Sequence, residues 1–236
     1  MSTTRRMHSP ALIVFAKVPQ PGRVKTRLTP PLTPDEATTL YDAFLRDSLD
    51  AYADPDAFGL GEPVAVRLYL AGTEAVPDGL VPDGVTVHRQ QGEGLGARML
   101  RAFVETFAAG HERIVIIGTD HPTLPLAFVG EAFRTLKRLF TVALGPSADG
   151  GYYLLGLNEL IPTLFGMEYS HDAVFADTLA RSTAAGAEPV VLPPWYDVDD
   201  ADSLRRLVDE WRDEVAVGHR TADALEALLE AHPDLG

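Results

Sequence analysis

Residues 11–28 read ALIVFAKVPQPGRVKTRL. The first six are continuously apolar, the pattern of a strand buried on both faces of a parallel sheet. The chemistry then inverts. Lys17, Arg23, Lys25 and Arg27 fall within eleven residues, in a chain whose net charge is −14. Pro19, Pro21 and Gly22 keep this segment out of helix and ladder. A stiff cationic loop leaving the carboxyl end of a buried strand is where an open α/β sheet binds its ligand. Guanidinium forks match phosphate oxygens in pairs, and ammonium groups add point charge. The stretch predicts a nucleotide di- or triphosphate site, with a solvated basic loop as the plainer alternative. The loop contains neither GxxxxGK[ST] nor GxGxxG, so it is neither a Walker loop nor a dinucleotide fingerprint.

The remaining 208 residues after this stretch supply a full core, and the expectation is one domain, 1–236, with its core over about 11–208. No apolar run reaches the ~18 residues of a membrane span, and no signal peptide is evident at the start. The chain has no cysteine, which excludes disulfides, thiolate metal sites and cysteine nucleophiles, and a cytoplasmic protein is expected. Asp and Glu outnumber Lys and Arg by 34 to 20, which argues against nucleic acid as a partner.

Thr33-Pro34-Asp35-Glu36 reads as a capping box opening a helix over about 34–52, with Leu40, Phe44, Leu45, Leu49 and Tyr52 on its apolar face. Strands are expected at 64–70 and 85–88. Gly92, Gly94 and Gly96, followed by Arg98, then open a helix reaching about 109. Glycines at alternate positions permit close backbone approach and expose N–H groups at a helix start, though a flexible turn has the same spacing. A two-face buried strand over 113–118 delivers Asp120, a ligand for metal or hydroxyl, or else a cap for a helix starting near Pro125. Strands at 141–145 and 152–156 flank Asp149-Gly150-Gly151, a hairpin turn or one wall of a ligand cleft. Ser170 is a credible N-cap for a helix over about 173–185, and His171 is either a surface residue or a group for metal or proton transfer. After a strand at 190–192, Asp197 and Asp199 stand one residue apart in an extended segment, on the same side. Such a repelling pair points to a cation, while Asp199 also reads as the N-cap of a helix over about 201–211. A final amphipathic helix spans 219–231.

The segments FAKVPQPGRVKTRL, GLGARM, IIGTDHPTLP, GPSADGGYYLLGL and YDVDDADSL, in this order, resemble a bacterial glycosyltransferase-like family of the nucleotide-diphospho-sugar transferase superfamily. The resemblance implies a single-domain α/β fold of the GT-A, Rossmann-like kind, with a mostly parallel sheet flanked by helices. The chain is also similar to the phospholactate and phosphoenolpyruvate guanylyltransferases of deazaflavin cofactor synthesis. It departs from them at Asp149–Tyr153, where they carry a small Thr/Gly stretch, and at His171.

Together these resemblances imply a metal-dependent transferase with a nucleotide-phosphate or nucleotide-sugar donor and a small-molecule acceptor. Lys17, Gly22, Arg23, Lys25, Arg27, Gly92, Gly94, Gly96 and Arg98 would bind the nucleotide. Asp120, Asp197 and Asp199 would hold Mg²⁺ or Mn²⁺. Gly150, Gly151, Gly166 and Ser170 would bind the acceptor, with Asp149 or His171 as the base. The 149–153 turn and the 166–171 segment are expected to face each other across the acceptor side. Sugar transfer leads, with nucleotidyl transfer to a small phosphorylated acid as the alternative and a non-catalytic nucleotide-binding module as a third reading.

Overall fold

The computed structural model of the chain describes residues 9–169 and 171–235. Ser170, expected as an N-cap and acceptor ligand, lies outside them. Seven strands form one sheet: β1 (Ala11–Lys17), β2 (Ala65–Ala71), β3 (Thr86–Arg89), β4 (Ile114–Ile117), β5 (Thr141–Pro146), β6 (Tyr152–Leu157) and β7 (Glu188–Val191). Their order across the sheet is β3-β2-β1-β4-β6-β5-β7. Only β6 runs against the others, paired antiparallel with both β4 and β5. The helices are α1 (Pro34–Ala53), α2 (Gly94–Ala108), α3 (Leu126–Thr135), α4 (Val174–Ala184), α5 (Ala201–Arg212) and α6 (His219–Ala231).

β1 is the hub. It pairs parallel with β2 on one side and β4 on the other, and residues 11–14 are fully buried. Its alternating side chains serve two cores. Leu12 and Val14 pack with Tyr41, Leu45 and Leu49 of α1 and Phe133 of α3. Ile13 faces the opposite layer, with Met99 and Phe103 of α2 and Ile116 of β4. Because the chain passes from β1 outward to β2 and β3 and then returns to β4, the sheet reverses its winding at β1 and β4. The carboxyl ends of two such strands leave a crevice between their departing loops.

A third cluster fixes one wall of that crevice. Leu28, at the end of the basic loop, is fully buried against Leu40 and Phe44 of α1, Val198 just before α5, Leu204 and Leu207 of α5, and Leu225 of α6. The same cluster therefore anchors the basic loop and the 197–199 segment. The expected capping box is present: Thr33 accepts from the Glu36 N–H and Glu36 reaches back to Thr33 N. One cap differs from expectation. Asp200, not Asp199, caps α5 by accepting from Ser203 N at 2.9 Å. Nor does Asp120 cap α3, whose N-cap is Pro125 with no side-chain bond. Both aspartates are thereby left for the crevice.

Leu28→Ala should cost about 2–5 kcal/mol, as large-to-small changes at fully buried sites do. Urea unfolding checks this: the midpoint should fall with the slope unchanged.

Candidate functional site

The crevice is an open cleft of about 600 Å³ at the carboxyl ends of β1 and β4. That volume lies in the usual range for small-molecule sites. It gathers seven of the expected residues: Lys17 from the end of β1, Lys25 and Arg27 from the loop, Arg98 from α2, Asp120 after β4, and Asp197 and Asp199 before α5. Two backbone ties hold the acidic segments in place. Val198 N donates to Asp120 O at 2.8 Å, and Trp195 N donates to Pro146 O at 3.0 Å, which extends the β5–β7 pairing past the strand ends.

Lys25 sits at the centre, its side chain only 2% exposed. It pairs with Asp120 Oδ1, donates to Asp199 Oδ1 at 2.9 Å and donates to Val198 O at 2.7 Å. Burial alone would lower its pKa, but the two carboxylates outweigh that and hold the ammonium above its usual range. Arg27 closes the other side of Asp199, donating from Nη2 to Oδ2 at 2.6 Å, and stays 65% exposed.

Asp197 faces a different way. His121 Nδ1 stands 2.9 Å from its Oδ1, and the Ser147 hydroxyl donates to its Oδ2. Burial pushes the Asp197 carboxyl upward, but the interaction with His121, the bond from Ser147 and the positive charge of Lys25 bring it below the ordinary carboxylate range. Sequence reasoning passed over His121. Its side chain is 3% exposed, it lines the cleft, and its Nε2 is buried without a partner. A carboxylate on Nδ1 leaves the lone pair on Nε2. The available signal was position, since His121 directly follows the strand-end Asp120.

All three expected aspartates line the cleft, with Asp120 and Asp199 on Lys25 and Asp197 on His121 and Ser147. Among the described residues, no group of three His, Cys, Asp or Glu side chains is placed to hold a metal ion. Asp197 is turned toward His121 and Ser147, which contact its two oxygens. Asp120 and Asp199 do turn oxygens onto one point, occupied by the Lys25 ammonium. Hard carboxylate donors converging on a buried positive charge fit Mg²⁺ or Mn²⁺ once that ammonium moves aside.

Other expected residues do not reach the cleft. Gly22 and Arg23 stand outside it, Arg23 being exposed and 4.0 Å from Glu74. Asp149 is spent on its own turn, accepting from Gly151 N at 2.9 Å. The ring of His171 is engaged locally, with Ala173 N donating to Nδ1 at 3.2 Å and Glu168 O 3.0 Å from Nε2. Neither lines the cleft. The 149–151 turn packs against the 172–175 stretch. Phe175 N donates to Gly150 O at 2.9 Å, and a Cβ on Gly150 would collide with the Asp172 backbone. From the turn region only Tyr152 and Tyr153, at the start of β6, reach the cleft.

The expected glycines of the α2 start do not line the main cleft. Gly96 lies against the Phe165 carbonyl and the Tyr169 ring, where any side chain would collide, so its smallness serves packing. Gly94, Gly96 and Gly166 line a neighbouring open pocket of about 740 Å³ instead of the main cleft, and Gly92 and Gly151 line neither.

A family model described as an uncharacterized protein conserved in bacteria, DUF2064, matches residues 61–171. No curated protein matches the sequence. Among solved structures, a protein of Desulfovibrio desulfuricans G20, described as a "putative nucleotide-diphospho-sugar transferase", is 30% identical with a TM-score of 0.82, over 95% of this chain and 96% of that one. A CMP:2-keto-3-deoxy-manno-octonic acid synthetase matches at 10% identity and TM-score 0.53, over 87% of this chain and 99% of that one. A cytidylyltransferase from Leptospira borgpetersenii serovar Hardjo-bovis strain JB197 matches at 12% and 0.51, over 96% of each. These two likenesses establish the fold alone. The first, extending over nearly the whole of both chains, establishes kinship: this chain belongs to the nucleotide-diphospho-sugar transferase family of transferases.

Proposed function

We propose that the chain is a divalent-cation-dependent transferase that takes a nucleotide sugar as donor and moves the sugar to a small hydroxyl-bearing acceptor. One observation carries this reading. Lys17, Arg27 and Arg98, from three separate elements, border a single cleft that also holds the Asp120–Asp199 pair. Cations and an acid pair on one cleft match the two needs of a nucleotide diphosphate, direct phosphate contact and a metal counter-charge. The name of the 30%-identical relative supports the choice of sugar transfer. The cysteine-free composition suits a cytoplasmic enzyme, and the net charge of −14 leaves nucleic acid a poor partner.

In this reading Arg27 and Arg98 bind phosphate oxygens, with Lys17 adding charge. Asp120 and Asp199 would hold Mg²⁺ or Mn²⁺, which would supply positive charge for the diphosphate leaving group. Asp197 holds His121 in one tautomer, and the free Nε2 accepts a hydrogen bond from the acceptor hydroxyl. The Tyr152 and Tyr153 rings form an amphipathic wall beside it, with the Tyr153 hydroxyl already donating to Pro193 O at 3.0 Å.

The reaction class is tested by incubating the protein with Mn²⁺, acceptor extracts, and either nucleotide sugars or nucleoside triphosphates. Nucleoside diphosphate release from a sugar donor is expected. Pyrophosphate release with a phosphorylated acid, and no diphosphate from any nucleotide sugar, would establish nucleotidyl transfer instead. Binding without turnover of either donor class would leave a nucleotide-binding module.

Arg27→Ala should weaken nucleotide binding about 10–100-fold, the loss of one hydrogen bond to a charged group. Calorimetric titration checks this, and the thermal midpoint should barely move because the side chain is exposed. His121→Ala should lower kcat, while Asp149→Asn and His171→Ala leave it near wild type. Steady-state kinetics on the three variants would reveal the opposite ranking if the turn residues supplied the base.

A further inference from the structure

We propose that Lys25 is a displaceable latch: it occupies the cation position between Asp120 and Asp199, and is released to the donor phosphates only when a divalent cation takes its place. This rests on the nucleotide-transfer reading of the cleft and adds an order and a coupling to it.

An ammonium has three hydrogens and no acceptor capacity. All three are accounted for by Asp120, Asp199 and Val198 O. In this arrangement Lys25 has nothing left to offer a phosphate, although it stands in the cleft where phosphates would lie. The carboxylates are equally committed, since the oxygens that would ligate a cation are those the ammonium holds. Two positive charges at one point repel, so the two occupants exclude each other.

The backbone favours movement of the side chain over movement of the loop. Lys25 has φ 47°, left-handed geometry that a residue bearing a Cβ seldom adopts and that surrounding structure must impose. Val24 and Leu28, buried on either side, impose it. Leu28 N donates to Lys25 O at 2.9 Å and closes the turn. With the main chain held, the four-carbon stem is the part able to swing. Freed from the carboxylates, it remains in the cleft that also contains Lys17, Arg27 and Arg98. Cation binding thus adds a phosphate donor to the site, and phosphate binding helps to keep the carboxylates clear for the cation. The coupling is reciprocal by thermodynamic necessity. In the free protein the latch also neutralises an acid pair that would otherwise repel itself.

Mn²⁺ affinity without nucleotide, read from the electron paramagnetic resonance signal of free Mn²⁺, tests the exclusion on full-length wild type and Lys25→Met. The variant should bind Mn²⁺ about tenfold more tightly, within the usual range of coupling between sites. Equal or weaker affinity would overturn the latch. A wild-type measurement covers the case in which the variant does not fold. The chain has three lysines, Lys17, Lys25 and Lys137; Lys17 and Lys137 are exposed, whereas the Lys25 side chain is only 2% exposed. Its ammonium protons should therefore exchange slowly enough for a ¹⁵N-correlated signal. That signal should disappear on saturation with diamagnetic Mg²⁺, and its persistence would overturn the proposal. Failure of Mn²⁺ to bind either protein also overturns the latch, while the donor assays still decide the transfer reading separately. Conversely, tighter Mn²⁺ binding by the variant with no turnover of any nucleotide would sustain the latch and remove the transfer reading.

Discussion

A single buried ammonium joins three stretches of chain that are far apart in sequence. Lys25 comes from the loop after β1, Asp120 from the end of β4, and Val198 and Asp199 from the segment before α5. A charge that deep is tolerated only when every donor is satisfied. Satisfying this one requires the three stretches to converge, so the cleft has a defined shape before any ligand arrives. Loss of either carboxylate would leave the buried ammonium short of a partner, which is why the cluster is a structural tie.

The packing supports that tie from below. β1 divides its side chains between two cores, and its carboxyl end opens where the sheet changes direction. The third cluster couples the loop to α5 and α6 through Leu28, Val198 and Leu204. Glycine contributes by subtraction. At Gly96 it lets α2 lie against the Phe165 carbonyl, and at Gly150 it lets the β5–β6 turn lie against Asp172.

Beside Lys25, the His121–Asp197–Ser147 chain is the second polar unit of the cleft. Its organisation is that of an orienter and a ring. The carboxylate takes Nδ1, and the remaining nitrogen is buried and unpartnered. A buried acceptor left open inside a cleft is costly unless something binds there, and such groups commonly mark the places where ligands dock. The two units share a backbone, since Asp120 and His121 are neighbours and Asp197 and Asp199 flank Val198.

Local features were legible in the sequence because their physics is local. The apolar run 11–16, the Thr33–Glu36 capping box, the apolar face of α1 and the order of strands and helices all follow from periodicity and nearest neighbours, and all seven strands were anticipated to within a few residues. The family resemblance added the fold and the grouping of Lys25, Asp120 and Asp199 in one site. Sequence could not say which polar group meets which. The α5 cap fell to Asp200 rather than Asp199 because one residue of chain direction separates an extended segment from a helix start. Asp149 and His171 looked reactive by type, but neither lines the cleft. The pairing of Lys25 with Asp199, 174 residues on, and of His121 with Asp197, 76 residues on, depends on how two strand ends and a helix start are brought together. The sequence by itself determined that there would be a buried β1 and a basic loop beyond it. Only the tertiary structure decided that the loop's lysine would turn inward onto two carboxylates, because only there do burial and opposite charge coincide.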